Sequence, residues 1–428
     1  MSAKPSPQPL AGLRVLDFGH TIMGPCAGLL FADLGADVIK IEPIDGDPTR
    51  RLPGFAAGFF ATFNRNKRSI AIDLKRPEGQ AAARRLAEKA DVLIENFAPG
   101  TIERLGCGWR DLESVNPRLI YLALKGFLAG PYEGRGALDE VVQMQTGLAY
   151  MTGPPGTPLR AGASIVDILG AVFGVVAVLS ALVERERTGR GQRVGGALFE
   201  SAAFLVGTVI AGSATIGAPM PPMPARKSPW GVYDVFAAKA SGQVFVGVTA
   251  DGQWRRFCEA FGFADWGDDQ RLSTNAGRCE ERDWLIPALQ ERFDLLALDE
   301  ILRRCQKANV PHARVGRPDE LAVDPHLVAS GGLLATALSA LGGGRLVGLP
   351  ALPMEFGAER DRLGLKLQPP RIGEHGRTIL AEAGFAKSEI ANLFASGVLA
   401  EIRHGPKAAP AKPPRKPSGA TRPRRPPL

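Results

Sequence analysis

The chain has 428 residues, 45% apolar and 22% charged, a balance typical of a globular protein large enough for two or three domains. Its net charge of +8 invites a nucleic-acid reading, yet seven basic residues and no acid lie between Gly405 and Leu428, and without them +1 remains. A near-neutral body argues against electrostatic binding of nucleic acid. Five cysteines (Cys26, Cys107, Cys258, Cys279 and Cys305) form no C-x-x-C pair, which argues against a disulfide framework or a zinc site and fits a reducing, cytoplasmic setting.

In chain order, Gly12 to Phe18 reads as a first strand and Gly24 to Leu34 as a helix stopped at Gly35. Asp37 to Glu42 and Ser69 to Leu74 are further strands, with a helix from Pro77 to Ala90, Pro77 sitting at its start. Asp91 to Glu95 and Leu119 to Leu124 follow as strands. This alternation predicts an α/β fold with a mostly parallel, Rossmann-like sheet covered on both faces. The turn Gly19-His20-Thr21-Ile22-Met23-Gly24-Pro25 lacks G-x-G-x-x-G, so a dinucleotide phosphate cradle is not expected.

The run Ile168 to Val183 is apolar for 16 residues, short of a bilayer span, and predicts a buried helix ending at Gly189; no membrane contact is expected. The leading residues, Met1 to Pro5, open into no apolar signal region. Asp167 falls in the first turn of that helix, where free N–H groups and the helix dipole hold a carboxylate ionised, as a nucleophile toward acyl groups requires. The same Ser164-x-x-Asp167 pattern also reads as a capping box.

The prolines from Pro219 to Pro229 mark a break, after which Gln243 to Val248 reads as a strand and Gln253 to Phe261 as a helix. The expected division is a large domain over 10–223, a small domain over 224–325, a return to the large domain over 326–395 and a disordered basic tail over 405–428.

Several motifs stand in one order: Leu13 to Phe18, Gly24-Pro25, Leu34 to Glu42, Asn64 to Ser69 with Asp73-Leu74-Lys75, Glu95 to Gly100, Asp139-x-x-x-Gln143, Asp167 and Arg187 to Gln192. Together they resemble the family III coenzyme A transferases of the CaiB/BaiF type, which include formyl-CoA transferase and the carnitine CoA-transferases. The resemblance runs from about Leu10 to Leu380.

It implies an interlocked homodimer, with a large Rossmann-like and a small domain in each subunit. It implies an acyl-CoA:carboxylate CoA-transferase that uses a CoA thioester as substrate, with no resident cofactor or metal. Asp167 is then the nucleophile that passes through an aspartyl anhydride and an aspartyl-CoA thioester. His20, Asp139 and Gln143 are implied as supporting residues. Met23, Arg50, Ile72, Asn96, Phe97, Arg104 and Lys125 are implied as CoA contacts. Ile22 stands where formyl-CoA transferase has glutamine, and Pro221 to Ser228 is proline-rich where that enzyme has a glycine-rich flap. Both differences argue against formyl or oxalyl substrates. The Asp139 helix, the Leu159 to Gly162 approach and Trp230 to Phe236 look most like members acting on C4–C5 dicarboxylic acids, such as succinyl-CoA or mesaconyl-CoA. Arg160, Arg226 and Lys227 are available for a second carboxylate. Two alternatives share this resemblance: an α-methylacyl-CoA racemase and an inactive CoA-binding paralogue. The absence of histidine between His20 and His312 counts against the racemase, which needs an acid/base pair.

Overall fold

The computed structural model describes residues 7–338 and 345–400; the tail expected at 405–428 lies outside them. Six strands form one parallel sheet: β1 (Arg14–Asp17), β2 (Asp37–Glu42), β3 (Arg68–Ile72), β4 (Val92–Glu95), β5 (Ile120–Lys125) and β6 (Arg193–Ala197). Their order is β3-β2-β1-β4-β5-β6, and the two-residue strand Leu399–Ala400 adds antiparallel beside β3. This is the doubly wound order, in which the chain reverses direction across the sheet between β1 and β4 and opens a crevice at their carboxyl ends.

Residue parity gives the two faces different chemistry. One face carries Leu16, Ile39, Ile41, Ile70, Ile72, Leu93 and Tyr121, packed with Leu86 from the helix Pro77–Ala87 and with Ile379, Leu380 and Ile390 from two later helices. The other face carries Asp17, Lys40, Glu42 and Ser69, all buried. They are satisfied in pairs: Lys67 meets Asp17 at 2.7 Å, Lys40 meets Asp47 at 2.9 Å, and Ser69 donates to Glu42. Nearby, Arg65 meets Asp33 at 2.8 Å. The Asn64 to Ser69 motif is thus largely a set of buried polar partners, which are costly to leave unpaired.

The helix Ile165–Thr188 lies against β5 and β6 on this second face. Glycines allow the close approach: a Cβ at Gly174 would come within 2.7 Å of Leu124, and one at Gly196 within 3.2 Å of the Gly174 Cα. The helix has 24 residues, longer than its apolar core predicts, and by length and composition it could cross a membrane. One stripe, with Gly170, Gly174, Val178 and Ala181, is buried in the protein, while Val172, Phe173, Val176 and Val183 are exposed.

The chain divides into two compact units. Among the described residues the larger holds 7–142, 163–204, 331–338 and 345–400; the smaller holds 143–162 and 205–330. The small unit therefore begins at Leu205 and not at 224, and it also takes the excursion Gln143–Gly162. The proline run ends a helix without marking the boundary, because the helix before it, Gly207–Ile216, already falls in the small unit. That unit contains an antiparallel sheet of β7 (Val232–Ala237), β8 (Gln243–Val248) and β9 (His312–Arg314), covered by Trp254, Phe257, Phe261 and Phe293 from two helices.

Candidate active site

β1 ends at Asp17, β4 at Glu95 and β5 at Lys125. The turns after them supply His20 to Met23, Asn96 to Pro99 and parts of Gly126 to Leu138 to a cavity of about 340 Å³. This is the crevice that the strand order predicts, and its size is at the low end of small-molecule sites, roughly 300–1,000 Å³.

The first turn is packed shut where a dinucleotide fold would leave room for pyrophosphate. A Cβ at Gly24 would lie 2.6 Å from the Gly19 Cα, and one at Gly28 would lie 2.5 Å from the Asp17 carboxylate. Asp17 accepts the Gly19 N–H at 2.8 Å, so a buried carboxylate takes up a backbone donor of this turn. Thr21, a β-branched residue, sits at φ 65° next to His20, a strained conformation within the cavity lining.

Asp167 lines the cavity from the first turn of the helix Ile165–Thr188. The expected capping box does not form: Ser164 makes no side-chain cap. The Asp139 carboxylate, 3% exposed, takes that place and accepts the N–H of Val166 at 2.9 Å and of Asp167 at 3.2 Å. The consequence reverses the expectation drawn from the helix dipole. Burial, followed by repulsion from Asp139 and Glu140, pushes the Asp167 carboxyl up to about 7. Its helix terminus is already occupied by another negative charge, so desolvation wins.

The structure brings several expected residues to the cavity. His20, Met23, Asn96, Phe97, Lys125, Asp139 and Asp167 all line it. Asn96 fixes the His20 turn by accepting its N–H at 2.8 Å and donating to its carbonyl at 3.0 Å. The His20 ring lies 5.3 Å from Phe97, and burial holds its imidazole below the usual histidine range. Lys125 donates to Glu95 and to the Phe97 carbonyl, at 2.7 and 2.8 Å. The Met23 thioether end reaches the helix at Gly170, where a Cβ would lie 2.5 Å from it.

Other expected residues do not line it. Arg50 forks onto Glu42 at 2.8 and 2.7 Å and stacks on Phe60, so its charge is spent inside the fold. Ile72 is core, 1% exposed, because parity turns it to the apolar face of the sheet. Arg104 is exposed and donates to Thr101 at 2.9 Å, one turn earlier on its short helix. Gln143 is buried and accepts the Ala161 N–H at 2.9 Å, which holds the Leu159 to Gly162 approach. Lys227 lies 3.9 Å from Asp283.

Sequence reading missed Phe55, Phe59, Glu133, Arg135 and Glu140, which also line the cavity. Glu140 was adjacent to an expected residue. The signal for Arg135 was its setting, Gly134-Arg135-Gly136 four residues before Asp139. Among the described residues no group of three or more histidine, cysteine or acidic side chains is placed to hold a metal ion.

Comparisons with known proteins agree with this geometry. The model of CoA-transferase family III matches residues 10–376. The chain is 33% identical to succinate–glutarate CoA-transferase of Agrobacterium fabrum, over 87% of this chain and 95% of that one. It is also 33% identical to succinyl-CoA–D-citramalate CoA-transferase of Chloroflexus aurantiacus, over 93% of this chain and 100% of that one. The crystal structure of a CAIB/BAIF family protein from Brucella suis superposes with a TM-score of 0.78 at 31% identity, covering 89% of this chain and all of that one. A doubly wound sheet without a phosphate cradle, an aspartate opening a helix at its crevice, and a family match over 10–376 converge on one conclusion: the chain belongs to CoA-transferase family III and is a CoA-transferase.

Proposed function

We propose that the enzyme transfers CoA from a C4–C5 dicarboxylyl-CoA, of the succinyl-CoA or mesaconyl-CoA kind, to a carboxylic acid, with Asp167 as nucleophile. The observation that carries this reading is Asp167 itself: a half-buried carboxylate lining the cavity at the head of an apolar helix, with its proton affinity raised toward neutrality. The names of the relatives above support the dicarboxylic substrates.

The chemistry follows from exchange among acyl derivatives. The Asp167 carboxylate attacks the thioester carbonyl, the C–S bond breaks and CoA thiolate leaves, giving a mixed anhydride. The thiolate attacks the aspartyl carbonyl and releases the donor acid, leaving an aspartyl-CoA thioester. The acceptor carboxylate attacks that carbonyl, forms a second anhydride and expels the thiolate, which then takes the acceptor's acyl carbon and frees Asp167. No net proton moves, so the only protonation requirement on the nucleophile is an ionised Asp167. A raised pKa makes that carboxylate more basic and more nucleophilic once ionised. The N–H groups of Val166 and Asp167 are committed to Asp139, so carbonyl polarisation falls to other cavity groups, the neutral imidazole of His20 foremost.

We further propose a homodimer. Val172, Phe173 and Val176 on the long helix and Phe204 beyond it form an exposed apolar stripe, and Phe173 meets Phe204 edge to face at 5.3 Å. A second copy of the chain covers such a stripe at a cost far below that of leaving it in water.

The test of the transferase reading is mass spectrometry after incubation with succinyl-CoA, mesaconyl-CoA and monocarboxylyl-CoA donors, with hydroxylamine as trap. A CoA-sized adduct or a hydroxamate on the Asp167 peptide, absent in Asp167→Asn, is the expected result. Full turnover by Asp167→Asn, or exchange of the substrate α-proton without any adduct, would overturn it.

A further inference from the structure

The cavity holds a positioned cation that neither the fold nor the chemistry above uses. Arg135 lines it from the segment Gly126 to Leu138. That segment is pinned at its base by an aromatic cluster: Phe127 to Tyr132 at 5.7 Å, Phe127 to Phe199 at 5.3 Å and Tyr132 to Phe199 at 6.2 Å. Backbone bonds fasten it further, from Phe199 N–H to the Gly126 carbonyl at 2.9 Å and from Arg135 N–H to the Tyr132 carbonyl at 2.8 Å. The guanidinium of Arg135 then lies over the Tyr132 ring, 3.9 Å from its centre. Gly134 and Gly136 flank it, and a Cβ on either would meet nothing within 4 Å, so room is left around the guanidinium's own stretch of chain.

The charge pattern shows what is missing. Lys125 shares the cavity but is already paired with Glu95. Among the described residues Arg135 makes no ion pair, and its face is held by a ring while its N–H edge is left for a ligand. The other charged side chains of the lining are the acids Glu133, Asp139, Glu140 and Asp167, set among polar residues such as Thr21, Asn96 and Ser164 and apolar ones such as Phe55, Phe59 and Leu138. An anionic substrate entering such a cavity meets repulsion from every charge except Lys125 and Arg135.

We infer that Arg135, stacked on Tyr132, is the anion-binding side chain of this cavity and takes an oxyanion of the substrate, a carboxylate of a dicarboxylic acid or a phosphate of CoA. This rests on the CoA-transferase reading for the two sources of that oxyanion. A planar guanidinium pre-oriented by stacking gives two parallel N–H donors to either group and loses little freedom on binding. It is a binding residue and takes no part in bond making.

The test is calorimetric binding to the full chain, which needs no turnover, using glutarate, butyrate, CoA and 3′-dephospho-CoA as probes. Arg135→Gln is compared with wild type, Arg135→Lys and Tyr132→Leu, and circular dichroism confirms folding of each; Arg135 is exposed, so its loss leaves the core intact. If the ligand is a substrate carboxylate, Arg135→Gln weakens glutarate at least tenfold and leaves butyrate and CoA unchanged. If it is a phosphate, the same variant weakens CoA at least tenfold and leaves glutarate unchanged; an equal loss with 3′-dephospho-CoA then points to the diphosphate. In either case Arg135→Lys recovers part of the affinity and Tyr132→Leu loses part. Binding of all four probes within twofold of wild type by Arg135→Gln, or no binding of any anion by wild type, overturns the inference. Failure of the transferase reading shows separately, as no adduct on Asp167 in the wild-type protein.

Discussion

Asp139 Oδ2 accepts the backbone N–H of Asp167 at 3.2 Å, so one carboxylate caps the helix that carries the other. A free helix terminus stabilises a nearby negative charge; here that stabilisation goes to Asp139, while Asp167 receives its repulsion. Burial first, and then this repulsion, raises the basicity of the proposed nucleophile without placing a base beside it.

Asp139→Asn removes that repulsion and lets Asp167 ionise at lower pH. The ascending limb of the pH–rate profile for adduct formation, expected near 7 in the wild type, moves to lower pH in the variant. A limb that moves to a tenfold higher proton concentration corresponds to ~1.4 kcal/mol of lost repulsion. The asparagine still offers a carbonyl to the two N–H groups, so the helix start is kept. An unchanged limb would show that the two charges do not communicate.

Asp167→Asn increases stability at alkaline pH. The folded pKa stands above the unfolded one, so folding with Asp167 charged is disfavoured: stability is highest below about 4 and falls as pH rises toward about 7. Above that range the wild type carries the full penalty, on the order of 4 kcal/mol, and asparagine avoids it. Urea unfolding of the two proteins at pH 5 and pH 8 checks this, with the gap between them wider at pH 8.

Lys67→Met destabilises the protein by about 3–5 kcal/mol, since it leaves the Asp17 carboxylate buried without its cation. Lys67 is completely buried and also donates to the Pro25 carbonyl at 2.8 Å and to Asn64 at 3.0 Å. Burial pulls its ammonium down to about 8, so even the native pair is held against a desolvation cost. The double variant Asp17→Asn/Lys67→Met should recover part of the loss in thermal unfolding, because no charge remains to be paired.

Val176→Glu places a charge in the exposed stripe of the long helix, where Val176 is 52% exposed and replacement costs the folded chain little. Light scattering should give a mass near twice that of the chain for wild type and near that of the chain, 45.4 kDa, for the variant. A wild type that scatters as a monomer refutes the proposed homodimer.

The sheet is legible in the order of residues alone. Short apolar strands alternating with helices bury both faces in a parallel sheet, and the boundaries of β2 and β8 were readable to the residue. The pattern alone offered Asp167 as a cap or a nucleophile; the family resemblance made it the expected nucleophile and supplied His20, Asn96, Phe97 and Lys125, which line one crevice. Charge states and partners emerge only in the folded chain. Ser164-x-x-Asp167 matches a local cap, but Asp139, 28 residues earlier, outcompetes it for the N–H groups. Arg50 and Ile72 lie in the right motifs, yet Glu42 and sheet parity claim them for the core. Arg135 carries no periodic signal at all and is defined by a ring it stacks upon and a cavity it lines. Hydrophobic periodicity is written locally along the chain, whereas a carboxylate's proton affinity depends on burial and on charges that only folding brings within a few ångströms.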